Sequence, residues 1–442
     1  MKATVNKIFS FKETLRLKRN FTSLTSVFFL SIVMQIALVP LMIWTWGLEN
    51  YGIWIFFLSI PATLSLLNVN FIKPVRQEII ILSKKGNLHF INQLFINSFI
   101  FTLFNISFFL FIYIIFNIFF FEDFQISENL EIKNYLFLIT TIGVGYSLNL
   151  ISSNIEIGIA SQGRIDVGNS IKIYSWAIMN ICIVVSGFLS SNINIVGFFY
   201  LFFNFIIFIL FLFYLKKYNK KIIWKFDLIN LKVIKKIFYF SNSYYLSAVS
   251  YILKTTALIT IIGYFFNAET VVLVNTIRTL FFFAPFQFSL IFSRLFEFEY
   301  ANKFSKKKFN EMIELFKLNL IVICIFTFLY FLISLFFGNY IYNIWTDNKF
   351  IFNKYLILIV VFDAIFLILT QLALSIPIAI NKFFNISVIE LFLSLITFLI
   401  ILMLGVLEYE YINFLATSSL FSFLLLLFSI YFCFRTLKNI IK

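Results

Sequence analysis

The stretch Lys216–Phe238, "KKYNKKIIWKFDLINLKVIKKIF", is the longest polar interruption in a chain of 442 residues that is 61% hydrophobic and only 12% charged. Six apolar runs of about 20 residues lie before it, between 21 and 215, and six after it, between 238 and 433. Each is long enough to cross a hydrocarbon core about 30 Å thick. Soluble domains carry roughly 25% charged residues, about twice the share here. The chain therefore reads as an all-α polytopic membrane protein of about twelve transmembrane helices, arranged as two six-helix bundles around a central cavity. The expected domains are an N-terminal bundle over 1–215, a cytoplasmic amphipathic linker over 216–237 and a C-terminal bundle over 238–442.

Working outward from that midpoint, the formal net charge of +15 sets topology and does not signal nucleic acid. Of the 35 Lys and Arg residues, 30 fall in the N-terminal segment, the even-numbered loops and the C-terminal tail, whereas the opposite loops hold only Lys133, Lys349 and Lys354. By the positive-inside rule both termini are expected in the cytoplasm. Trp44, Trp46, Tyr51 and Trp54 flank the first outer turn, and Tyr340, Tyr342 and Trp345 the fifth, as interfacial aromatics do. Within the central stretch Ile222, Phe226, Ile229, Val233 and Ile237 recur at helical spacing against Lys220, Lys221, Lys225, Lys232, Lys235 and Lys236. That pattern suits a helix lying on the anionic cytoplasmic leaflet, with membrane lipids as partners. A shift of 220 residues places Glu49 on Glu269, each in a tight outer turn between a half's first two runs. Halves of like orientation suggest a parallel repeat with the substrate path between the bundles.

Catalytic chemistry finds little footing. No G-x-x-x-x-G-K-[ST] phosphate cradle is present, and "EDFQISENLEIKN", Glu122–Asn134, and "GNYIYNIWTDNKF", Gly338–Phe350, are expected outer loops too short for a folded domain. Cys182, Cys324 and Cys433 fall within apolar runs without partner spacing, His89 is the only histidine, and Gly143 and Gly145 read as helix-packing glycines. Neither an enzyme nor a cofactor is expected. The basic N-terminus leads into a run too long for a cleavable signal, so the first helix is expected to be its own targeting signal.

The chemistry-bearing residues are charges at membrane depth. Lys254 stands in the middle of "SYYLSAVSYILKTTALITIIGYFF", Ser243–Phe266, at a place where a charge costs about 2.5 to 3.5 kcal/mol on insertion scales. Arg278 and Asp363 fall in the same depth band of runs 8 and 10, roughly 12 and 18 Å below the outer end at 1.5 Å per residue. Lys254 and Asp363 are expected to neutralise each other, which leaves Arg278 to give the second bundle a net positive face. Glu156 in run 4 and Glu390 in run 11 lie nearer the cytoplasmic ends, where a desolvated carboxylate can take up and release a proton during alternating access. Coupling to protons or sodium is thus open to Asp363, Glu156 and Glu390. Gln35, Asn68, Asn70 and Gln287 are further candidates to line the cavity, and Pro40, Pro61, Pro285 and Pro377 interrupt runs 1, 2, 8 and 10.

The layout, the turn "LENYGIWIFFLSI", the run 7 ending "IIGYFFNAETVVLVNTIR" and "GNYIYNIWTDNKF" before run 10 resemble the polysaccharide-transport family of bacterial flippases, of which the Wzx-type O-antigen flippases are the best-known members. The resemblance covers nearly the whole chain. It implies translocation of an undecaprenyl-diphosphate-linked oligosaccharide, an O-antigen, capsule or exopolysaccharide repeat unit, across the bacterial inner membrane by alternating access. It also implies a cationic cavity, with Lys254 and Arg278 as substrate-binding residues, a place in lipopolysaccharide or other polysaccharide biosynthesis, and polysaccharide assembly proteins as partners. A diphosphate carries about two negative charges, for which lysine and arginine supply charge-assisted hydrogen bonds. A cation-coupled drug exporter of the same superfamily and a polytopic polysaccharide polymerase or ligase are the alternatives. The former would favour carboxylates facing its cargo, and the latter a large outer loop or paired carboxylates.

Overall fold

The computed structural model describes residues 11–65, 75, 79, 88–119, 132–160, 165–189, 192–218, 228–305, 307–350, 354–380 and 382–441. Every regular element among them is helical, because a spanning segment in lipid must satisfy each backbone N–H and C=O within itself. In chain order they are α1 (Phe11–Leu64), α2 (Leu88–Phe119), α3 (Ile132–Ala160), α4 (Ile165–Leu189), α5 (Ile193–Tyr218) and α6 (Leu231–Phe265). There follow α7 (Ala268–Arg278), a π-helical turn (Thr279–Phe283) that continues into α8 (Ala284–Ser305), α9 (Phe309–Trp345), α10 (Lys354–Ala379), α11 (Phe384–Val406) and α12 (Tyr411–Ile441). Among the described residues, eleven helices are long and apolar enough to cross a membrane. The first of these, Phe29–Leu64, holds the first two expected runs: α1 is broken at Gly47, whose φ of 74° and ψ of 176° are non-helical. Only glycine enters that region without a steric penalty, so the chain turns there.

The corresponding turn of the second half falls at Asn267, 220 residues on. Its side chain accepts the backbone N–H of Thr270 at 3.0 Å and caps α7. The two turns are also neighbours. A Cβ on Gly52 would lie 2.3 Å from the carbonyl oxygen of Ala268, so the glycine lets the two helix starts touch.

Two compact units emerge from the packing. Unit 1 comprises Met1–Met34, Leu67–Ile118 and Glu131–Ser241, and unit 2 comprises Gln35–Leu66, Phe119–Leu130 and Asn242–Lys442. In unit 1, Phe95, Ile155, Ile157, Phe211 and Val233 share one core. Val233 belongs to the expected surface linker, yet it is buried beside Leu228, and Asn97 ties the same segment down by donating to the Leu228 carbonyl at 2.9 Å. Ile222 and Phe226 of that linker lie outside the described residues, as do Asn68, Asn70 and most of Glu122–Asn134.

In unit 2 two of the prolines, Pro40 and Pro285, are compensated individually. Proline supplies no N–H to the carbonyl four residues back and leaves it unpaired. Trp345 donates its indole N–H to Ile36 O at 2.8 Å, which Pro40 leaves free, and the Tyr330 hydroxyl donates to Phe281 O, which Pro285 leaves free. Two expectations are corrected here. Gly338–Trp345 is not loop but the last two turns of α9, so the expected outer loop is shortened, and Asp347 and Asn348 take positive φ in the turn that follows α9, as short polar side chains can. Tyr51, Trp54 and Tyr342, expected to face the interface, are buried within the protein; Tyr342 shares a 2.6 Å hydrogen bond with Thr276. Trp44, by contrast, is 68% exposed.

Candidate functional site

α6 carries Ser247, Ser250 and Lys254 at steps of three and four, which places them on one helical face. Lys254 meets α10 and α12 there. Its ammonium lies 3.4 Å from Asp363 Oδ1 and donates to the Ser422 hydroxyl, which itself donates to Asp363 Oδ1. Ser418, one turn before Ser422 on α12, donates to Asp363 Oδ2 at 3.3 Å. Both carboxylate oxygens are thus hydrogen-bonded. Only 5% of the Asp363 side chain and 11% of the Lys254 side chain are exposed, so the pair is isolated from solvent on both sides.

Arg278 is buried at 1% exposure at the end of α7, where the π-helical turn begins. Among the described residues its guanidinium forms no salt bridge with a carboxylate. Nη1 donates to Thr255 O at 2.9 Å and Nη2 to Lys254 O at 3.3 Å, so it holds α6 by the backbone at the very residues of the ion pair. Phe282 and Phe283 lie under the cation, 5.1 and 5.4 Å from ring centre to Cζ, within cation–π range. Among the described residues the Nε proton has no hydrogen-bond partner. A buried donor left unpaired costs about 1–3 kcal/mol, and π-turns recur at functional sites. Both features mark this position as one kept for a reason other than packing.

Glu390, on α11, accepts from the Ser247 hydroxyl at 2.8 Å, and its backbone carbonyl accepts from Ser250 at 3.0 Å and from Ser394 at 2.7 Å. Through Ser247 and Ser250, Glu390 is tied to the α6 face that also carries Lys254. Glu156 stands apart in unit 1. It is buried on α3 and paired with Lys172 of α4 at 2.5 Å, with Gly168 giving it room: a Cβ there would lie 2.6 Å from its Cγ.

The charged members of the cluster were legible, and the hydroxyls that connect them were not singled out. The only advance signal was the four-residue spacing of Ser418 and Ser422 and of Ser250 and Lys254. Among the described residues no group of His, Cys, Asp and Glu side chains could hold a metal ion. The chemistry available is ion pairing, proton exchange and anion binding.

The helices have the MATE-like fold of the MOP-superfamily transporters. A MATE multidrug transporter, DinF-BH, superposes with a TM-score of 0.63 at 13% identity, covering 96% of this chain and 94% of its own. The Vibrio cholerae MATE transporter VcmN gives 0.60 at 12%, covering 96% and 98%. A MOP-superfamily transporter from Pyrococcus furiosus, described as having a binding pocket of reverse polarity that suggests a different function, gives 0.58 at 11%, covering 97% and 95%. No family model and no curated protein sequence matches the chain.

Proposed function

We propose that the chain is a flippase that carries an undecaprenyl-diphosphate-linked oligosaccharide across the bacterial inner membrane by alternating access, with the two halves of the sequence as its two bundles. The observation that supports this reading is the pair of basic side chains, Lys254 and Arg278, buried within membrane-spanning helices of unit 2. A buried cation is costly in lipid, and an anionic head group is the cargo that recovers that cost. Asp363 neutralises Lys254 between cycles; the diphosphate takes its place during them. Arg278, which holds only backbone carbonyls, is free to exchange neutral acceptors for phosphate oxygens, to which its fork can bind two at a time. Asp363, Glu390 and Glu156 are the carboxylates open to proton or sodium coupling.

The basic asymmetry of the loops supports cytoplasmic termini. A single cysteine at Asn219 should then react with an impermeant maleimide only after spheroplasts are opened, and labelling of intact spheroplasts would reverse the orientation. A drug exporter is the competing reading, favoured by the MATE multidrug transporters among the similar structures. Export of the cell-surface glycan separates them. Arg278→Ala should abolish it with the protein still inserted, and Arg278→Lys should restore it only in part, because the charge returns without the fork. Full glycan export by Arg278→Ala, or wild-type extrusion of cationic dyes without any glycan phenotype in a deletion strain, would overturn the reading.

A further inference from the structure

Unit 1 contains a cavity of about 250 Å³, lined from α3 by Asn149 and Ser152, from α4 by Lys172, Trp176 and Met179, and from α5 by Asn204. It falls below the roughly 300–1,000 Å³ of pockets for drug-sized ligands, so it suits a single ring. Asn149 is exposed in the middle of an apolar spanning helix, where a carboxamide facing lipid would be costly. It donates to Asn204 Oδ1 at 3.4 Å, at the long limit of a hydrogen bond, whereas Asn204 spends its own Nδ2 on the Tyr200 carbonyl at 2.8 Å. The pocket is therefore two-sided. Trp176 and Met179 give it an apolar wall; Asn149 supplies a carboxamide, and Ser152, whose proton goes to the Leu148 carbonyl at 2.7 Å, and Asn204 keep acceptor oxygens. Lys172 adds a positive charge at the lining, 40% exposed, while the nearby carboxylate of Glu156 is buried and already committed to that lysine.

An organic cation finds no available carboxylate in such a lining, because Glu156 is already paired with Lys172. A pyranose ring fits it: the C–H face of the ring packs on an indole, and the equatorial hydroxyls on its rim exchange hydrogen bonds with carboxamides. An acidic sugar would share the Lys172 ammonium with Glu156. We infer that this cavity is a subsite for one pyranose ring, neutral or acidic, of the carried saccharide. The inference rests on the flippase reading for its biological setting and on the lining alone for its chemistry.

The test uses the full chain purified in lipid nanodiscs and saturation-transfer NMR with methyl glucoside, methyl galactoside, methyl N-acetylglucosaminide and methyl glucuronide as probes. At least one glycoside should show ring-proton transfer. Trp176→Leu and Asn149→Leu should each weaken its binding by up to about tenfold, as expected for one lost contact or hydrogen bond, and Trp44→Leu should leave it unchanged. Asn149 is exposed, so its variant keeps the question answerable if Trp176→Leu folds poorly. Absence of transfer from all four glycosides, transfer that survives both variants, or its displacement by tetraphenylphosphonium would each overturn the subsite. None of those results depends on export, so failure here leaves the flippase reading to the Arg278 assay, and failure of that assay leaves the glycoside signal to stand or fall alone.

Discussion

Both units carry a lysine paired with a carboxylate on membrane-spanning helices, yet the two pairs differ in what each lysine does when its partner is lost. In unit 1 the Lys172 side chain is 40% exposed and Glu156 is the buried member. In unit 2 both members are largely shielded, at 11% and 5%; Ser418 and Ser422 donate to Asp363, and Ser422 also accepts from the Lys254 ammonium. Exposure, not the presence of a salt bridge, separates an ion pair that can relax into water from one that requires another anion. Only the second kind gives an incoming anionic group something to replace.

The comparison can be broken at its strongest point first. Asp363→Leu strands Lys254 in a low-dielectric surrounding, and removing one partner of a buried pair costs about 3–5 kcal/mol. Folded protein in membranes should fall sharply, as read by in-membrane abundance and thermal shift; an abundance equal to the parent would mean that Lys254 finds water on its own. Glu156→Gln should do far less. It keeps the shape beside Gly168 and leaves Lys172 its own access to water, so the loss should stay within about 1 kcal/mol, the scale of solvent-reachable pairs. A large loss there would erase the distinction between the two units.

Much of this architecture was legible because lipid imposes simple demands. The apolar runs, the basic central stretch and the reversal between runs 1 and 2 follow from hydropathy and charge, and the reversal found its cause at Gly47, the one residue there able to hold a φ of 74°. Depth along a helix also placed Lys254 and Asp363 at one level. What lay hidden was lateral. Serine is tolerated in apolar helices because it bonds its own helix's carbonyls, so Ser418 and Ser422 carry no hydropathic signature. Glu390 looked like a helix-end carboxylate until α11 turned it toward Ser247. Arg278 announced a charge and a depth, but its acceptors are backbone carbonyls, to which any sequence could contribute. The same holds for the proline sites: that Trp345 and Tyr330 would supply the missing donors to Ile36 and Phe281 depends on contacts hundreds or tens of residues apart. The aromatic residues of the outer turns misled for the same reason, since tyrosine and tryptophan suit an interface and a buried hydrogen bond equally well.

The central claim is that the buried pair of unit 2 serves an anionic cargo as well as the fold. It is tested by comparing the parent, Lys254→Met, Asp363→Leu and the double variant for abundance, thermal stability and glycan export. Each single variant should lose folded protein, and the double variant should recover it because neither charge is left unpaired. The account predicts that abundance returns without export, since the diphosphate then lacks its lysine. A double variant that is abundant and exports glycan at the parental rate would contradict it and reduce the pair to structure alone.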